Sequence, residues 1–178
     1  MFFHRVKAYL VIFLLLFSSC AHEPSTRKKS LSKLNSTTVL IDMPKNRLVF
    51  ENISPIIYKA FYDHFVRVGF NLDEKNNPKF ILKIEVKKLD AFGKIISPDI
   101  LSYGFNLKLE LACSLFNENN KLIKEKEFQV STAVFKPRDP ILNSNFYTVS
   151  YKKLAYRAAI KVEQYFRKYF LTYETDQI

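Results

Sequence analysis

Phe105-Asn106-Leu107-Lys108-Leu109-Glu110-Leu111-Ala112-Cys113-Ser114-Leu115 decides how the chain folds. Every odd position is apolar and, apart from Ala112, every even one is polar. A period of two places alternate side chains on opposite faces, so this stretch is a strand with one face buried and one in water. Asn117 to Asn120 is a short polar connection after it, and Leu122 to Phe135 alternates again, with Phe128, Val130 and Val134 on the core side. The pair therefore reads as an antiparallel hairpin. Upstream, Phe80 to Leu89 has the same character: Phe80, Leu82, Ile84 and Val86 face one way, Ile81, Lys83, Glu85 and Lys87 the other. Asp90 to Ser102, with Gly93 and Pro98, reads as the loop between these strands.

Two segments have helical spacing instead. Ile57, Phe61, Phe65 and Val68 form one stripe. Ser54 and Pro55 supply a capping hydroxyl and a proline for the first turn, and Gly69 supplies the stop. The second helix is predicted over about 149–170, capped by Thr148, with Tyr151, Leu154, Ala155, Ala158, Val162, Tyr165 and Tyr169 along its buried stripe. Thr37 to Met43 is short and β-branched, a first strand with Val39, Ile41 and Met43 on one face.

The order is βαβββα. Each strand has one apolar face and each helix one apolar stripe. The economical arrangement is an α+β fold in two layers, a four-stranded mixed sheet with both helices packed on one face. Strand, helix and strand at the start should form a right-handed parallel crossover. The domain spans 37–171, and 172–178 is a tail.

The chain opens differently. Arg5 and Lys7 precede an uncharged run, Ala8 to Phe17, followed by Ser18, Ser19 and Cys20. A charged start, an apolar core and small residues make an export leader over 1–19. The apolar run is half the roughly 20 residues that a bilayer-spanning helix needs. Phe17-Ser18-Ser19-Cys20 resembles the bacterial lipobox. That resemblance implies diacylglycerol on the Cys20 sulfur, cleavage before it and acylation of the new amine. Several acyl chains on one residue anchor firmly, at about 0.8 kcal/mol per buried CH2. The other reading is a plain secretory signal with a chance cysteine. In enteric lipoproteins a residue other than Asp after the cysteine favours the outer membrane, and here it is Ala21. Residues 20–36 are polar, without apolar period, and read as a flexible tether.

Most of the formal net charge of +11 remains after the leader is removed. Such an excess suits anionic partners, and export makes nucleic acid an unsuitable one. The chain has two cysteines. With Cys20 lipidated, Cys113 has no intrachain partner and should be buried, as its strand position predicts. Of the three histidines only His64 lies in the folded part, at the border of the first helical stripe, where a structural role is expected. Metal-ligand clusters, nucleophile elbows and glycine-rich phosphate loops do not occur. Neither an enzyme nor a cofactor is expected. Glu85 and Glu110, interleaved with lysines, read as cross-strand ion pairs.

The basic residues are more informative. Lys87 and Lys88 end the second strand, Lys94 follows in the loop, and Lys136 and Arg138 follow the fourth strand. With these strands antiparallel to the third, all five should gather at one end of the sheet. There they either hold a phosphate or form an ordinary solvated rim.

Taken with the leader, this pattern resembles the LptE family of lipopolysaccharide-assembly lipoproteins. The residues that carry the match are the lipobox ending at Cys20, the run from Val39 to Leu89 (VLIDMP, then Phe50-Glu51-Asn52, Ser54-Pro55, Gly69 and FILKIEV), and the long terminal helix after two alternating strands. The resemblance implies an outer-membrane lipoprotein on the periplasmic side. It would plug the lumen of a large LptD-like β-barrel, help it assemble, and bind lipopolysaccharide. An auxiliary periplasmic lipoprotein of a lipid transporter is the second reading, and an envelope hydrolase the third.

Overall fold

The computed structural model describes residues 37–48, 52–72, 78–96, 102–137 and 146–172. The elements are β1 (Val39–Ile41), β2 (Lys45–Asn46), α1 (Ser54–Arg67), β3 (Phe80–Ile96), β4 (Ser102–Asn117), β5 (Leu122–Pro137) and α2 (Phe146–Thr172). The sheet runs β1-β3-β4-β5, and β2 also pairs with β3. It therefore has five strands, one more than the sequence reading. The extra one is a division of the edge. β1 pairs in parallel with Phe80 to Leu82, and β2 in parallel with Glu85 and Val86. Pro44 lies between them and has no N–H to continue a ladder. Met43, expected on the buried face, is instead 59% exposed.

β4 behaves as its alternation dictates: Leu107, Leu109, Leu111, Cys113 and Leu115 are buried. It is antiparallel to both neighbours. The β4–β5 turn is closed by Asn117, whose Oδ1 accepts from the backbone N–H groups of Asn119 and Lys121 at 3.1 and 2.8 Å.

β3 is longer than expected. It continues past Leu89 to Ile96, and β4 starts at Ser102, so the predicted loop over 90–102 is mostly strand. The register shifts between Val86 and Lys88. That bulge adds one residue and switches the alternation. Lys88, Asp90 and Phe92 thereby share a face with Lys83 and Glu85. Gly93, at φ +70°, lies in a second irregularity between Phe92 and Ile95.

Both helices pack on the apolar side of the sheet and share one core with it. Each fully buried Leu or Phe there contributes about 1.5–3 kcal/mol. α1 starts at Ser54, but Ser54 is not its cap. Ile53 holds that position, Asn52 Oδ1 accepts from the Ser54 N–H at 3.2 Å, and the Ser54 hydroxyl is buried. The other end matches expectation. Gly69 adopts φ +97°, its N–H reaches Val66 O, and Phe70 N–H reaches Phe65 O, both at 3.0 Å. This is a Schellman stop, completed by the Phe65 and Phe70 rings 5.0 Å apart.

α2 begins at Phe146, so Thr148 lies inside the helix and does not cap it. Its buried side includes Leu154, Ala155, Ala158, Ala159, Val162, Phe166 and Phe170. Small residues let it lie close to the sheet. Arg157 and Lys161 reach past the edge of β5 and donate to Ser131 O and Gln129 O, each at 3.0 Å. Two outward carbonyls of an edge strand are thus covered by cations.

Candidate functional site

The face of the sheet opposite the helices is not covered by any described element. Its cross-strand rows are Lys83–Ser114–Glu125, Glu85–Ala112–Glu127, Lys88–Glu110–Gln129 and Asp90–Lys108–Ser131. The ion pairs run along strands more than across them, unlike the cross-strand expectation. Lys88 meets Asp90 at 2.6 Å, Lys108 meets Glu110 at 2.7 Å, and Lys87 meets Glu85 at 2.8 Å. A two-residue spacing keeps partners on one face, which makes the along-strand pair available without a neighbour. Arg47, just after β2, also pairs with Glu85. The Lys87 ammonium, with Arg47 beyond it, holds the Glu85 carboxyl below its usual range against the effect of burial. Asp90 raises the Lys88 ammonium. A cavity of about 430 Å³ lies on this face. Its cations Lys45, Arg47 and Lys83 are matched by Asp42, Glu85 and Glu125.

The five cations expected at one end of the sheet divide into two groups. Ile96 pairs with Tyr103, and Tyr103 with Lys136. Lys136 is therefore at the end where β3 finishes, and Lys94 is two residues from that end. Arg138 and Cys20 lie outside the described residues. Lys87 and Lys88 do not belong to the group. Because β3 continues to Ile96, they are mid-strand, Lys88 opposite Glu110 and Lys87 in the register shift just before it, and both are already paired with acids.

Toward this end the polar face turns aromatic. Phe92 and Phe135 are each 49% exposed and flank Asn106, Gly104 and Ala133. The Phe135 ring lies over Gly104, where an added Cβ would come within 2.8 Å of it. Tyr147 and Val149, at the start of α2, are also exposed. Phe92 falls in the stretch that the sequence presents as loop, and its place on the sheet follows only from the continuation of β3.

A second cluster lies between the helices. Glu163 on α2 and His64 on α1 are both buried, with Nε2 3.7 Å from Oε2. Arg167 Nε donates to Glu163 Oε1 at 2.6 Å. Burial raises the Glu163 carboxyl, and the neighbouring His64 and Arg167 outweigh it and hold the group below its usual range. The Tyr156 ring meets His64 edge-on at 5.7 Å, and Arg67 Nη1 donates to the Tyr156 hydroxyl at 2.6 Å. The sequence marked His64 as structural but gave no sign of Glu163, which sits among polar neighbours at the edge of the predicted stripe. Cys113 is fully buried, and burial pushes its thiol far up. Among the described residues no group of His, Cys, Asp or Glu is placed to hold a metal ion. Among them, too, no helix is long and apolar enough to cross a membrane.

A two-layer α+β domain with one open charged face is the class that this architecture defines. No family model matches the chain, and no curated protein matches it significantly. Solved structures do share the fold. A candidate lipoprotein from Caulobacter crescentus superposes with a TM-score of 0.57 at 12% identity, covering 82% of this chain and 98% of its own. A DUF330 protein from Xanthomonas campestris gives 0.56 at 9% identity, covering 79% and 88%. A hypothetical protein from Chlamydia trachomatis gives 0.55 at 10% identity, covering 75% and 97%. The fold is thus one that bacterial proteins, a candidate lipoprotein among them, have in common.

Proposed function

We propose that this chain is a lipid-anchored outer-membrane lipoprotein of the LptE type. It occupies the lumen of a large LptD-like β-barrel and assists lipopolysaccharide assembly. The observation that carries the reading is the open sheet face. Its apolar counterpart is sealed under two helices, whereas this side presents Lys83, Glu85, Lys88, Lys108, Glu110 and Glu125 without a covering layer among the described residues. A barrel interior is polar, so such a face finds complementary groups there. The lipobox at Cys20 and the shared fold of the Caulobacter protein add support. Lys94 and Lys136 fall at the end of the sheet where β3 finishes, the end that also carries the aromatic patch, and Arg138 follows in sequence; lysine and arginine are the residue types that bind lipid phosphates. Binding and positioning suffice for this role, and no reaction centre is required.

The test is extraction of the full-length lipidated chain in mild detergent, followed by affinity capture and identification of what comes with it. Stable recovery of a large outer-membrane barrel is the expected result. Recovery of an inner-membrane transporter without any barrel would overturn the proposal.

A further inference from the structure

The flank of the helical layer holds a groove outside the site described above. It has a volume of about 380 Å³ and lies between α1 and α2. Ile56 and Ala60, one turn apart on α1, and Tyr156 on α2 supply its apolar wall, and all three are only partly buried. Charge surrounds it unevenly. Lys59 is neutralised by Asp63 at 3.1 Å. Arg67 spends one donor on the Tyr156 hydroxyl and keeps others of its five. Lys152 is exposed and has no ion-pair partner among the described residues. The mouth therefore carries uncompensated positive charge beside an apolar wall.

We infer that this groove binds a single acyl chain bearing one carboxylate, a free fatty acid. Three observations choose that occupant. The volume is at the small end of the range for ligand pockets, about 300–1,000 Å³, which suits one chain and not a multi-acyl lipid. The apolar wall, about one helical turn long, takes a few methylenes of the chain. The net positive mouth, with Lys152 unpaired among the described residues, matches an anionic head, and a charge-assisted hydrogen bond there fixes its orientation. Neutral amphiphiles leave Lys152 without a partner and gain nothing from it. The groove is distinct from the open sheet face, so the inference stands independently of the barrel reading.

A palmitic acid carrying a diazirine on its chain tests this. The full-length lipidated chain in mild detergent is photolysed with the probe, and the labelled peptides are mapped by mass spectrometry. Label should fall on the segments holding Ile56–Ala60 and Lys152–Tyr156. It should be displaced by palmitate and not by its methyl ester. Lys152→Glu should weaken labelling about tenfold, the scale of one charge-assisted hydrogen bond. Ala60→Trp should fill the groove and abolish labelling. Should Ala60→Trp fail to fold, the surface variant Lys152→Glu still decides. Labelling that is spread over the chain, or equally displaced by the ester, or unchanged by Lys152→Glu, overturns the assignment. Barrel recovery from the same extract separates the two proposals: groove labelling lost with the barrel retained defeats this one alone.

Discussion

His64 Nε2 on α1 and Glu163 Oε2 on α2 face each other at 3.7 Å inside the helical layer, with both residues almost wholly out of water. An ionised carboxylate in that position needs a donor, and Arg167 supplies it at 2.6 Å, whereas His64 Nε2 at 3.7 Å is beyond hydrogen-bond distance. Removing a partner from a buried charge is costly because the remaining charge cannot regain its hydration. Arg167 is 43% exposed, so water partly substitutes for it. Arg167→Ala should destabilise the fold by about 2 kcal/mol in urea unfolding, less than for a fully buried pair.

The same carboxylate makes stability depend on pH. Its folded pKa lies below the unfolded value, so the unfolded chain binds the proton more readily. The stabilisation is present above the usual carboxylate range and is lost as pH falls through the folded value. Glu163→Gln should flatten the acid limb of a stability–pH curve between the usual carboxylate range and the lower folded value. An acid limb as steep as that of the unaltered chain would show that Glu163 does not contribute to it.

Gly69 is a backbone prediction. At φ +97° a Cβ is strained, and the Schellman bonds hold the residue there. Gly69→Ala should cost about 1 kcal/mol or more, seen as a lowered midpoint in thermal unfolding by circular dichroism.

Gly104 tests packing on the open face. Gly104→Ala should push the Phe135 ring away and lower stability by about 1 kcal/mol. In a Phe135→Ala background the same change should cost less than half as much. A double-mutant cycle measures the difference.

Cys113 should be inert while the chain is folded. Burial raises its thiol, and only the thiolate reacts. A thiol reagent should label it at the rate of unfolding, with rapid labelling in native buffer the contrary result.

How much of this was legible depended on period. From Phe105 to Leu115 the alternation is unbroken, and strand, buried face and hairpin followed from it. Alternation changes phase across the bulge between Val86 and Lys88, so the sequence beyond Leu89 looks like loop although β3 continues through it. That one residue moved Lys87 and Lys88 from a strand end to mid-sheet and hid the exposed Phe92. Ser54 resembled a cap because capping depends on backbone angles, which composition does not reveal. Glu163 was invisible for a related reason: its burial is set by Arg167 and by His64, ninety-nine positions away, not by its own stripe.

The polypeptide enters the sheet beside Phe80, where Val39 pairs, and Lys136 lies beside the far terminus of β3. Those seventeen residues extend about 55 Å at 3.3 Å each. If fatty acids at Cys20 anchor the near pole through the tether over 20–36, strand length adds to the reach of that tether. Shortening β3 and its partners in register would then draw the far end of the sheet closer to the bilayer without altering its pairing.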